Sequence, residues 1–205
     1  MHNNEFFHKF LKFLELLCSF LSVLFWILLI YGFDEPRLAT LSVMAALIHE
    51  GGHLCCLLYI GGATGALRGR LFGLSITNKT LITYKKELYL YASGIMANIA
   101  FALLSLPFFG RTAGYAELFC FFNLATALSN LLPVEGHDGY GILRTVMCYF
   151  GLYELFLAVF PKISFGITGL LCFFSLYLME RYDAGYWIFA VFLFSLLSGM
   201  KKTLN

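Results

Sequence analysis

Apolar stretches of about twenty residues recur along this chain, over 13–33, 38–60, 87–109, 113–132 and 141–160, each with no more than two charged residues. A helix rises about 1.5 Å per residue, so roughly 20 residues cross the hydrocarbon core of a bilayer. Two shorter stretches, 163–179 and 184–197, flank Glu180-Arg181-Tyr182-Asp183 and read as a tight hairpin of tilted spans. The fold class that follows is an all-α polytopic membrane protein of six or seven transmembrane helices, one domain over 1–205. Composition agrees: 60% of residues are hydrophobic and 13% charged, and the mean hydropathy is +0.79. That is too little charge to coat a water-facing surface. A soluble enzyme and a disordered chain are excluded, and a net charge of +2 offers nucleic acid no basic patch.

Punctuation between the runs is sparse. Asp34-Glu35-Pro36-Arg37 breaks the first from the second, Gly61-Gly62 ends the second, and Pro133 stops the fourth. Between 61 and 86 the character changes. Residues 67–71 and 81–84 alternate around the turn-like Thr77-Asn78-Lys79, a short β-hairpin-like loop between the second and third spans. Lys9 and Lys12 before the first run resemble a signal peptide, but the run is long and lacks a small-residue cleavage site, so it reads as an uncleaved span. The six cysteines lie scattered in apolar runs and read as buried packing, the adjacent Cys55 and Cys56 included.

Orientation follows the basic residues. Arg68, Arg70, Lys79, Lys85 and Lys86 sit in the 61–86 loop, whereas the opposite side carries Arg37, Arg111 and Lys162. With Lys9 and Lys12, this places the N-terminus and that loop in the cytoplasm of a multi-pass cell-membrane protein. The second and fourth spans then run in the same direction and end on the cytoplasmic side.

The second span contains His49-Glu50-Gly51-Gly52-His53. Histidines four apart share a helix face and can reach one zinc ion, with the intervening glutamate beside the metal's water. Zinc lowers the pKa of that water toward neutrality, and the carboxylate can take its proton. Among chains of this composition the pattern arises by chance in roughly 1 of 200 shuffles. Its setting weighs further, because three ionisable groups within one apolar helix are costly and functional by default. Gly51 and Gly52 clear space for a close backbone or substrate approach.

A hydrolytic zinc needs a third protein ligand and an open position. Of the three aspartates, Asp34 lies on the far face and Asp183 in a late loop, while Asp138 follows the fourth span on the side of His49 and His53. Breaks at Pro133 and Gly136 would let the chain dip back toward the metal.

Together, His49-Glu50-Gly51-Gly52-His53, Asn130-Leu131-Leu132-Pro133 and Asp138-Gly139 resemble the site-2 protease family of intramembrane zinc metalloproteases. Gly94-Ile95-Met96-Ala97-Asn98 is similar to that family's Gly-x-x-x-Asn element, and the 61–86 loop to its hairpin. The resemblance covers about 38–145, and the compact chain is similar to the sporulation-type branch, stage IV sporulation protein FB. It implies one zinc per chain held by His49, His53 and Asp138, with Glu50 as general base. It also implies that Asn98 and Asn130 position the peptide or the ligands.

Two residues depart from the pattern. His137 stands where an apolar residue is usual and competes with Asp138 as third ligand, an exposed loop histidine being the preferred reading. Tyr140 stands where a second glycine is common. Glu135 reads as a solvated loop carboxylate.

The expected activity is hydrolysis of a peptide bond in a membrane-embedded or membrane-tethered protein. The expected partners are that substrate, the lipid bilayer and a regulatory membrane partner, with no nucleic acid. The competing reading is a zinc transporter or sensor without hydrolytic activity. A transporter should line several spans with ligands, yet the third and fourth carry only Glu87 and Glu117 at their ends. A catalytically dead scaffold is a third reading, against which the intact Glu50 weighs.

Overall fold

The computed structural model describes residues 35–60 and 83–182 without a break, strands at 67–70 and 73–76, and residues 24, 27–28, 31–32, 192–193 and 196. Most of the expected first span and of the 184–197 stretch lies outside the described residues.

The second span is helix α1 (Pro36–Tyr59). Pro36 opens it as its first residue, where a missing N–H costs nothing and a fixed φ suits the helix. The third span is α2 (Tyr84–Ser105), continued by a 3-10 turn over Leu106–Phe108. The fourth is α3 (Tyr115–Leu131), 17 residues long and so at the lower limit for a span.

Beyond α3 the expected division of the chain is wrong. Instead of one span over 141–160 and another over 163–179, a 12-residue helix α4 (Asp138–Tyr149) precedes a 30-residue helix α5 (Tyr153–Tyr182). The break falls at Gly151, whose φ of +72° is left-handed. There the Gly151 and Leu152 amides donate to the carbonyls of Cys148 and Met147, which satisfies the end of α4. Pro161, by contrast, lies inside α5 and does not end it. Lys162 is therefore a helix residue rather than a loop charge. Among the described residues three helices, α1, α2 with its 3-10 extension, and α5, are long and apolar enough to cross a membrane.

Between α1 and α2, strands β1 (Leu67–Arg70) and β2 (Gly73–Ile76) pair antiparallel, Leu67 opposite Ile76 and Arg70 opposite Gly73. Both strands precede Thr77-Asn78-Lys79. Tyr84, expected to close a second strand, begins α2.

Helix α2 is the centre of the bundle and packs on α1, α3 and α4. The packing is that of a protein in lipid. Small residues such as Ala39, Ala45, Ala102, Ala116 and Ala127 are buried between helices, together with Asn98, Asn123, Thr145 and Ser164. Large apolar side chains such as Leu47, Leu103, Phe121, Leu128 and Phe173 point outward. Cys55 faces outward too and Cys56 is half-buried, so neither is the core thiol its sequence context suggested.

Each end of the bundle is fastened by polar groups. At the start of α1, Arg37 donates to Ala113 O (2.9 Å) and lies over the Tyr115 ring. At the opposite end Arg144 of α4 donates to Glu87 Oε1 (2.5 Å) and Tyr91 Oη (3.1 Å) on α2. Nearby, the Glu135 amide donates to Ser164 Oγ of α5 (2.7 Å), holding the segment between α3 and α4 in place.

Candidate metal centre

His49 and His53 lie one turn apart on α1 and present their rings to the same side. Asp138 arrives there as the first residue of α4, after the chain turns back at Leu132–His137. Gly139 makes that return possible: a Cβ on it would run into the carbonyl oxygens of Leu131 and Leu132. Asp138 is thus followed by the one residue type that fits beneath it.

Three atoms converge. His49 Nε2 is 3.1 Å and His53 Nε2 3.2 Å from Asp138 Oδ2, and the two ring nitrogens are 3.2 Å from each other. The three side chains are only 7%, 13% and 12% exposed. Leu90 O accepts a hydrogen bond from His53 Nδ1 (2.8 Å), and a carbonyl can only accept. His53 is therefore protonated at Nδ1, and as a neutral ring it presents a lone pair at Nε2. His49 Nδ1 faces Asn98 Oδ1 at 2.8 Å in the same sense. Ser93 Oγ, which donates to Leu90 O (2.7 Å), adds a 3.3 Å contact to His53 Nδ1.

Two nitrogen lone pairs and a carboxylate oxygen facing one another repel unless a cation or proton lies between them. Asp138 Oδ2 is buried and has no hydrogen-bond partner of its own. Ligand atoms around a tetrahedral zinc stand about 2.0–2.2 Å from the metal, hence roughly 3.3 Å apart. The separations here fall only one or two tenths of an ångström short of that. The donor set and its spacing fit zinc, and among the described residues this is the one group of His, Cys, Asp and Glu that does so.

Glu50 adjoins His49 on α1, half-buried, and its carboxylate interacts electrostatically with His53, His49 and Asp138. His137 is not the exposed loop residue expected. It is the residue before α4, its Nδ1 is buried without a partner, and burial pushes its pKa below the usual imidazole value. It lies outside the converging group. Glu135 is exposed, as expected.

Asn98 is placed on His49 of the converging group rather than in an open groove. Asn130 donates to Thr126 O one turn back on its own helix (3.0 Å). Asn123, which the sequence reading passed over, is fully buried and accepts from Asn98 Nδ2 at 2.9 Å. Asn98 stood out only through its family element; the signal that could have found Asn123 is a polar side chain in the middle of an apolar run.

Fold and site together define a polytopic helical membrane protein with a buried His-His-Asp cluster of metal-ligand geometry beside a glutamate. The fold is that of a site-2 protease: the chain matches the solved structure of the site-2 protease from Methanocaldococcus jannaschii with a TM-score of 0.61. The match covers 89% of this chain and 86% of that one at 17% sequence identity. No protein-family model matches the chain, and no curated protein matches it in sequence.

Proposed function

We propose that this chain is an intramembrane zinc metalloprotease that cuts a membrane-embedded or membrane-tethered protein. The observation that carries the reading is the convergence of His49 Nε2, His53 Nε2 and Asp138 Oδ2, with Glu50 beside them, within a site-2 protease fold. Zinc held there would act as a Lewis acid on the scissile carbonyl and make water nucleophilic near neutral pH. His49 and His53 serve as neutral imidazole ligands, and Asp138 brings the negative charge. Glu50 takes the proton of the attacking water and passes it to the leaving amine.

The site lies inside the bundle. His49 and His53 are 10 and 6 residues from the last residue of α1, so roughly 15 and 9 Å of helix lie beyond them. A substrate carbonyl hidden in a hydrogen-bonded helix cannot reach it, so the substrate is a segment that unwinds, rich in Gly, Pro or Asn near the cut. The β1–β2 ladder supports a way to hold such a segment extended, by adding it to a strand edge. The basic residues of 61–86 support a cytoplasmic site in the cell membrane, and the lack of a PDZ-type insertion supports a place near the sporulation-type branch.

The test is co-expression of candidate membrane-tethered proteins with wild type and Glu50→Gln. Cleavage should fall by about 10²–10⁴-fold in the variant, the loss expected for a positioned general base. Equal cleavage by both contradicts the mechanism, and zinc flux abolished by Glu50→Gln would establish a transporter instead.

A further inference from the structure

Asn123 stands in the middle of α3 facing Asn98 of α2, and both are 0% exposed. An amide so buried needs a partner for both its nitrogen and its oxygen. Asn123 Nδ2 donates to Phe119 O, one turn back on α3, at 2.9 Å. That fixes which end of its amide faces α2: Oδ1 accepts from Asn98 Nδ2 at 2.9 Å. Asn98 Nδ2 also donates to Ala45 O of α1, at 2.9 Å. Ala45 O, with two lone pairs, also serves the His49 amide in the helix ladder, so the Asn98 amide is held from two sides, by Ala45 O and by Asn123 Oδ1. With its donors committed, Asn98 has only Oδ1 to offer His49 Nδ1, 2.8 Å away.

An acceptor at that position obliges His49 to carry its proton on Nδ1 and leaves the Nε2 lone pair for a cation. Turned over, the Asn98 amide would present hydrogens to Nδ1, send the proton to Nε2 and close the ligand. We infer that Asn123 is a positioning residue for the metal centre: acting through Asn98, it holds His49 in the tautomer that a metal requires. It reaches neither substrate nor metal. The inference rests on the metal reading of the site above, and its test separates the two.

The first readout needs no substitution. Nitrogen NMR of metal-free protein with isotope-labelled histidine, the His49 signal assigned by its loss in His49→Gln, should show Nδ1 protonated. The second is zinc affinity by chelator competition. Asn123→Leu should mix the two tautomers of His49 and weaken zinc binding by about 10–100-fold, the usual cost of losing a group that orients a metal ligand. Asn123→Asp should restore both. Buried and neutral, its carboxyl accepts from Asn98 through one oxygen and donates to Phe119 O through the other.

His49 protonated at Nε2 and bare at Nδ1 in wild type overturns the inference. So does Asn123→Leu with unchanged tautomer and affinity, or an equal affinity loss in both variants with the tautomer unmoved, which marks a merely structural role. If Asn123→Leu does not fold, the wild-type tautomer and Asn123→Asp decide. Wild type protonated at Nδ1 but without affinity for zinc sinks the proposed function and leaves the relay standing.

Discussion

Gly52 of α1 and Gly94 of α2 meet with no room for a side chain between them: a Cβ on Gly52 would lie 3.1 Å from Gly94 Cα and 2.5 Å from Ser93 O. This contact draws α2 close enough for Leu90 O and Asn98 Oδ1 to take the Nδ1 protons of His53 and His49. Gly94 also lies directly beneath both imidazoles, where its own Cβ would come 2.5 Å from His53 Nε2 and 2.7 Å from His49 Cε1. The two glycines thus set the position of the two imidazoles as well as the spacing of the helices.

Substitution at Gly94 should therefore act on the metal first. Gly94→Ala is expected to weaken zinc binding at least tenfold and to destabilise the fold by about 1–3 kcal/mol, the range for overpacking. Gly51→Ala is the contrast, since nothing lies within 4 Å of a Cβ there. It should leave zinc binding unchanged and stabilise the helix by up to about 1 kcal/mol. Chelator competition and thermal unfolding in detergent measure both; equal behaviour of the two variants would contradict the packing described.

Gly139→Ala probes the return of the chain after α3. The obstructing atoms are backbone carbonyls of Leu131 and Leu132, which cannot swing aside as a side chain can. The start of α4 must shift and carry Asp138 with it. Zinc affinity should fall at least tenfold, to the level of Asp138→Asn, and retention of wild-type affinity would show that Asp138 does not depend on this turn.

The side of the membrane is open to a direct check. On a background with the six cysteines replaced, a single cysteine at Ser75 should label only after the membrane is opened, and one at Thr112 from outside. Labelling of Ser75 in intact cells would reverse the orientation read from Arg68, Arg70, Lys79, Lys85 and Lys86.

What the sequence conveyed, and what it did not, divides along physical lines. The spacing of His49 and His53 is local, set by 3.6 residues per turn, and the proline-bounded runs placed α1 and α3 to within two residues at each end. Asp138 followed from topology because few aspartates compete. The division at 150–152 was missed because Gly151 ends α4 through its left-handed conformation, whereas Pro161, the stronger stop signal by composition, is accommodated inside α5. Asn123 was missed because its role exists only across the α2–α3 interface. His137 was misjudged because loop position suggests exposure, while here the segment folds inward with its neighbour Asp138.

Zinc content of purified protein decides whether His49, His53 and Asp138 hold a metal. Wild type and Glu50→Gln should each hold one zinc per chain, since Glu50 is not a ligand, and His137→Ala should keep it. His49→Ala, His53→Ala and Asp138→Asn, each left with two protein ligands, should lose most of it while remaining folded. Full zinc in Asp138→Asn together with loss in His137→Ala, or no zinc in wild type, would contradict the account.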